Sequence, residues 1–125
     1  MKHSEGFLAL VNDAKTRVKE VSVDETRGRM RSNPDAKLVD VREDHEWDAA
    51  HASGSIHLGK GIIERDVEVT IPDKATEVIL YCGGGYRSAL AADALQNMGY
   101  TNVFSMAGGW KAWKESGGEI ESGNQ

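Results

Sequence analysis

The single cysteine of this chain, Cys82, is followed by Gly83-Gly84-Gly85-Tyr86-Arg87 and preceded by the apolar run Val78-Ile79-Leu80-Tyr81. Such a run reads as a strand buried on both faces of a parallel sheet. Residues 88–98 place Ala89, Ala92, Leu95 and Met98 at helical spacing, with Gly99 as the C′ residue. The cysteine therefore opens a glycine-rich turn between strand and helix, the place where open α/β sheets bind ligands. Consecutive glycines let the backbone curl until several N–H groups aim at one point. The helix start adds unpaired N–H groups and the positive end of its dipole, and Arg87 adds a positive charge. A thiolate at Cys82 is favoured in three ways, the setting that makes a cysteine nucleophilic. The plainer reading, a small buried hydrophobe, does not account for the glycines and the arginine.

Other chemistry-bearing residues are more dispersed. Asp40 and Arg42 sit at the end of the short apolar stretch Leu38-Val39-Asp40-Val41, where such a pair either binds substrate or fixes neighbouring loops by hydrogen bonding. His45, His51 and His57 recur at intervals of six, which suits neither one helix face nor a set of zinc ligands, so no metal site is expected. Trp47, Trp110 and Trp113 read as packing residues. Tyr86 lies inside the reactive turn, either as a wall of the pocket or as an exposed loop residue.

The elements that must position these groups follow from periodicity. Residues 7–18 place Phe7, Leu10, Val11, Ala14 and Val18 on one helical stripe. Ser22-Val23-Asp24-Glu25 is a capping box that opens a second helix, and Asn33-Pro34-Asp35 stops it. Strands are expected at residues 38–41, 77–81 and 103–105, and helices at 43–50, at 88–98 and around Trp110 and Trp113. Residues 52–60 read as loop, 62–69 as either helix or strand, and the tail from Glu119 as frayed. Strands alternating with helices predict an α/β domain with an open, mainly parallel sheet and helices on both faces. We divide the chain into a helical extension (1–21), one domain (22–120) and a tail (121–125).

At 125 residues the chain is the size of one domain. Its formal net charge of −5 argues against general nucleic-acid binding and requires a local positive site to draw in an anionic substrate. One cysteine permits no internal disulfide. The only apolar run near the N-terminus, residues 7–11, is too short for a signal peptide, and nothing resembles a membrane span, so a cytoplasmic address is expected.

The loop Cys-x-x-Gly-x-Arg after Val78-Ile79-Leu80-Tyr81 resembles the active-site loop of the rhodanese family of sulfurtransferases. Asp40-Val41-Arg42-Glu43 with Glu46-Trp47 resembles that family's first-strand motif. His51 to Leu58 resembles its Gly-His-Ile-Pro-Gly-Ala segment, with departures at Ala50, Ala52, Ser53 and Ser55. Gly108-Gly109-Trp110 with Trp113 resembles its closing motif. The resemblance runs from about Ser22 to about Ile120.

It implies a rhodanese-like sheet and a sulfurtransferase needing no cofactor, in which Cys82 takes a sulfane sulfur from a donor such as thiosulfate and holds it as a persulfide. The Gly83, Gly84, Gly85, Tyr86 and Arg87 amides would hold the outer sulfur, Arg87 would bind the donor, and Asp40 and Arg42 would support the site. With no second cysteine, discharge requires an external thiol or protein acceptor. A monomer is the default. Cysteine phosphatases and arsenate reductases need Cys-x5-Arg to ring a tetrahedral oxyanion, whereas Cys82 to Arg87 is Cys-x4-Arg. A non-enzymatic partner-binding module and a persulfide relay to another protein are the alternatives of a different class.

Overall fold

The structure, a computed structural model, describes residues 2–123. Helix α1 (Glu5–Lys15) begins at Ser4, whose hydroxyl accepts the Phe7 amide at 3.3 Å. Strand β1 (Lys19–Val21) leads into α2 (Val23–Ser32), opened by the reciprocal bonds of Ser22 and Glu25. Then come β2 (Lys37–Asp40), α3 (Asp44–Ala49), β3 (His51–Ala52), β4 (Ile56–His57) and α4 (Ile63–Thr70). The chain continues through β5 (Val78–Tyr81), α5 (Tyr86–Asn97), β6 (Val103–Met106), α6 (Gly109–Glu115) and β7 (Ile120–Glu121).

Five parallel strands form one sheet in the order β1-β6-β5-β2-β4, so β5 runs through its middle. Alternation along β5 divides the core. Val78, Leu80 and Cys82 face a cluster with Ile63 and Val67 of α4 and Ala91, Ala92 and Leu95 of α5. Ile79 and Tyr81 face a second cluster with Val23 of α2 and Trp113 of α6. Both faces being covered explains why the strand reads as a continuous apolar run: each fully buried aliphatic side chain contributes about 1.5–3 kcal/mol. The α/β architecture with a parallel sheet between helical layers is the one expected.

Several elements differ from the sequence reading. Of residues 62–69, open between helix and strand in the sequence, all but the N-cap Ile62 are helical, because Ile63 and Val67 bury one face. Residues 52–60 contain β4 and the end of β3, strands of two residues each, too short for any periodicity to register. Lys19–Val21, placed in the helical extension, is the edge strand of the central sheet, paired with β6. The tail expected to fray instead forms β7, antiparallel to β3 through His51↔Glu121 and Ala52↔Ile120. Leu10, read as core, is 62% exposed, since α1 buries Val11 and Ala14 instead. Residues 124 and 125 of that tail lie outside the described residues.

Among the described residues, no helix is long and apolar enough to cross a membrane, and no group of His, Cys, Asp and Glu is arranged to hold a metal.

Candidate functional site

Cys82 directly follows β5, and α5 begins four residues later at Tyr86, earlier than the expected start at Ser88. The turn is made by Gly85, whose φ of 100° lies in the left-handed region that glycine enters without steric cost. Gly83 and Gly84 take no positive φ, so of the three glycines only Gly85 is required by backbone conformation. The Gly85 amide donates to Cys82 Sγ at 3.1 Å and the Ser88 amide at 3.4 Å. Ser88 Oγ lies 3.5 Å from the sulfur and 2.8 Å from Ser105 Oγ, and both serines are fully buried. Ser105 comes from β6, in register with Leu80, so it emerges on the same sheet face as Cys82.

The loop is held from behind by α6. The Trp110 amide donates to the Cys82 carbonyl at 2.7 Å and the Lys111 amide to the Gly83 carbonyl at 3.2 Å. Because C=O and N–H point in opposite directions across a trans peptide, anchoring those carbonyls on α6 turns the following amides toward the open side. Gly109 makes this contact possible: a Cβ there would stand 2.3 Å from the Cys82 carbonyl oxygen, and its φ is 53°.

A cavity of about 550 Å³ opens over the sulfur. Cys82, Gly83 and Gly84 form its floor, Tyr86 and Arg87 line it from the start of α5, and Glu43, His45 and Glu46 line it from the segment after β2. Cys82 is only 1% exposed, so a reactant reaches the sulfur by entering this cavity. Arg87 Nη1 and Nη2 donate to the Glu46 carboxylate at 2.9 and 3.3 Å. Those bonds hold Arg87 above its ordinary range and Glu46 below its own, against the opposing effect of burial. Arg87 is therefore not a free cation: its charge is shared with Glu46.

Asp40 and Arg42 form a separate, closed network. Arg42 Nε and Nη2 clamp the Asp40 carboxylate at 2.8–3.1 Å, and Arg42 Nη2 also donates to the Ala50 carbonyl at 2.6 Å. Tyr81 Oη donates to Asp40 at 2.7 Å and accepts the Ala52 amide at 3.0 Å. Burial and the Asp40 charge raise the Tyr81 phenol well above its usual range. Both Asp40 and Arg42 are buried, and neither lines the cavity over Cys82. Trp47 lies nearby, its ring stacked on His51 at 3.4 Å and on His57 at 5.0 Å.

A family model described as a rhodanese-like domain matches residues 22–116. The chain belongs to the rhodanese-like family. A thiosulfate:glutathione sulfurtransferase of Saccharomyces cerevisiae is 31% identical over 98 residues, covering 70% of this chain and 70% of its own length. The chain spans 51% and 65% of the lengths of two other curated relatives that it matches. Among solved structures, a Rhodopseudomonas palustris protein of unknown function, described as a possible tyrosine phosphatase, superposes with a TM-score of 0.81 at 28% identity, covering 97% of this chain and 98% of its own. A polysulfide-sulfur transferase homodimer from Wolinella succinogenes superposes with a TM-score of 0.81 at 27% identity, covering 94% of this chain and 88% of its own.

Within this rhodanese-like domain the structure brings together Cys82, the glycine loop, Tyr86 and Arg87, and it leaves Asp40 and Arg42 outside the cavity. Sequence reasoning missed four contributors. Ser88 was one residue beyond the loop motif. Ser105 was the single polar residue in the buried strand Val103–Met106, a signal that could have flagged it. Glu46 was noticed only as part of a motif. His3, which lines the cavity together with Phe7 of α1, left no signal, because only tertiary packing places it there.

Proposed function

We propose that the protein is a sulfurtransferase that moves a sulfane sulfur from a donor such as thiosulfate to a thiol or other nucleophilic acceptor through a Cys82 persulfide. The observation that carries this reading is the Cys82 sulfur on the floor of a cavity, accepting the Gly85 and Ser88 amides and walled by Arg87. The names of the Saccharomyces and Wolinella relatives support the same chemistry.

In the first half-reaction the Cys82 thiolate attacks the outer sulfur of thiosulfate. The S–S bond of the donor breaks, its electron pair leaves on sulfite, and a Cys82 Sγ–S bond forms. In the second, an acceptor thiolate attacks the outer sulfur, and the electron pair of the Sγ–S bond returns to Cys82. Donors fixed before reaction stabilise developing charge without reorganising. The Gly85 and Ser88 amides do so at Sγ, while the amides of Gly84, Tyr86 and Arg87 serve the outer sulfur. Arg87 receives the oxyanion end of the donor and exchanges part of its bond to Glu46 for it. The alternative use of the same persulfide, delivery to a protein partner, differs only in the acceptor.

Intact-mass measurement before and after thiosulfate treatment tests the reading. The expected result is one added sulfur, removed by dithiothreitol and absent in Cys82→Ser. No added sulfur with thiosulfate or polysulfide would overturn it, as would aryl phosphate hydrolysis above the Cys82→Ser background. A Cys-x4-Arg loop is one residue short of the ring that phosphate needs.

A further inference from the structure

One wall of the cavity over Cys82 comes from outside the matched family region. Helix α1 is fixed on α5: Val11 and Ala14 are buried, Arg17 binds Asp93 at 2.9 and 3.0 Å, and Gln96 donates to the Arg17 carbonyl at 3.0 Å. Helix α5 starts with Tyr86, and Phe7, Val11 and Lys15 follow one another on one face of α1 at i, i+4 spacing. That face reaches the Tyr86 ring. The His3 ring lies 4.5 Å from it, the Phe7 ring 6.3 Å, and Lys15 Nζ 5.3 Å. His3 and Phe7 are themselves 5.2 Å apart, so the three rings make one tilted cluster. All three line the cavity that holds Cys82.

Glu43 and Glu46 line the same cavity, and among the described residues Arg87 is the one lysine or arginine that lines it with them. Counting histidines as neutral, the described lining thus carries one net negative charge before the sulfur adds its own. An acceptor bearing several carboxylates meets repulsion there, and one carrying its thiol on a carbon chain meets aromatic carbon.

We propose that His3 and Phe7 are specificity-determining residues: with Tyr86 they form an aromatic wall that favours acceptors with an uncharged, carbon-rich chain over multiply anionic ones. This rests on the sulfur-transfer reading above and deepens it by naming the acceptor class. The step it governs is the second half-reaction, in which the acceptor thiolate bonds to the outer sulfur and the electron pair of the broken S–S bond returns to Cys82 Sγ.

Two measurements test it. Enzyme loaded with sulfur is discharged by benzyl mercaptan or by mercaptosuccinate, and the ratio of the two kcat/KM values is compared between wild type and His3→Ala/Phe7→Ala. Losing two ring contacts should lower that ratio by about tenfold. His3→Ala alone, outside the helix, should lower it by about threefold, which keeps the test alive if the double variant does not fold. An unchanged ratio in a folded variant overturns the proposal. Separately, sulfur-free enzyme is alkylated at Cys82 by N-benzylmaleimide or by iodoacetate, and the same variants should lose the preference for the benzyl reagent. If wild type cannot be loaded with sulfur, the sulfur-transfer reading fails. The alkylation ratio then still decides the wall, and its constancy across the variants would sink it.

Discussion

Two polar constellations lie at the carboxyl ends of adjacent parallel strands, the Asp40–Arg42 pair after β2 and the Cys82 loop after β5. At the first, carboxylate, guanidinium, phenol and backbone bond to one another inside the protein. At the second, two amides aim at one sulfur, an ion pair is partly exposed, and a cavity lies in front. Position at a strand end is common to both. What separates a site from a strut is whether the donors converge on a group that something outside can reach. The closed network holds Ala50 and Ala52 in place, whereas the loop directs two amides at a sulfur that borders a cavity.

The largest effect that could break this contrast is on stability. Arg42→Ala strands a buried carboxylate and should cost about 3–5 kcal/mol, read from urea unfolding. Arg87→Ala loses a partly exposed pair and should cost no more than about 1 kcal/mol. If the two variants were equally destabilised, the division into strut and site would not stand.

The second effect is kinetic. Arg87→Ala should raise the thiosulfate KM by about tenfold or more, because a bidentate donor to the oxyanion is gone. An unchanged KM would leave the donor held by backbone amides alone.

The smallest effect sharpens the contrast inside the site. Since Glu46 shares the charge of Arg87, Glu46→Gln should lower the thiosulfate KM by about two- to threefold. A rise instead would mean that Glu46 holds Arg87 in place and does not compete with the donor. The pair also carries a pH signature. Glu46 is lowered from its ordinary value of 4.5 in the folded protein, by hydrogen bonds from Arg87 first. Its contribution to stability is therefore complete above 4.5 and is lost as pH falls through the lowered folded value. Wild type should exceed Glu46→Gln by up to about 1 kcal/mol at neutral pH, and the difference should fade below 4.5 and vanish once pH is below the lowered folded value.

Much of this could be read from the residues. Val78-Ile79-Leu80-Tyr81 announced a doubly buried central strand because every residue of it is buried. Ser22 and Glu25 announced a helix start because capping is local. The turn between β5 and α5 was legible because Gly85 supplies its left-handed residue and α5 starts directly after it. The short strands β1, β3, β4 and β7 were not, since two or three residues carry no period and Lys19, Glu20, Ile120 and Glu121 are exposed. Arg87 was legible as a cation near the sulfur but not as half of an ion pair, because Glu46 is 41 residues away. The ring cluster of His3, Phe7 and Tyr86 depends on how one helix lies against another, which spacing along the chain does not encode.

The glycines around the sulfur also differ as targets for directed change. A side chain at position 109 collides with the carbonyl of Cys82, and one at 85 would have to adopt a left-handed backbone. At position 84 a Cβ meets nothing closer than the Tyr86 ring at 3.8 Å, and at 83 it meets only the movable end of Arg87, at 3.1 Å. A library built at 83 and 84 with 85 and 109 held fixed would place new functional groups on the cavity floor while keeping the cradle intact. The loop thus offers two adjustable letters beside two that the geometry forbids to vary.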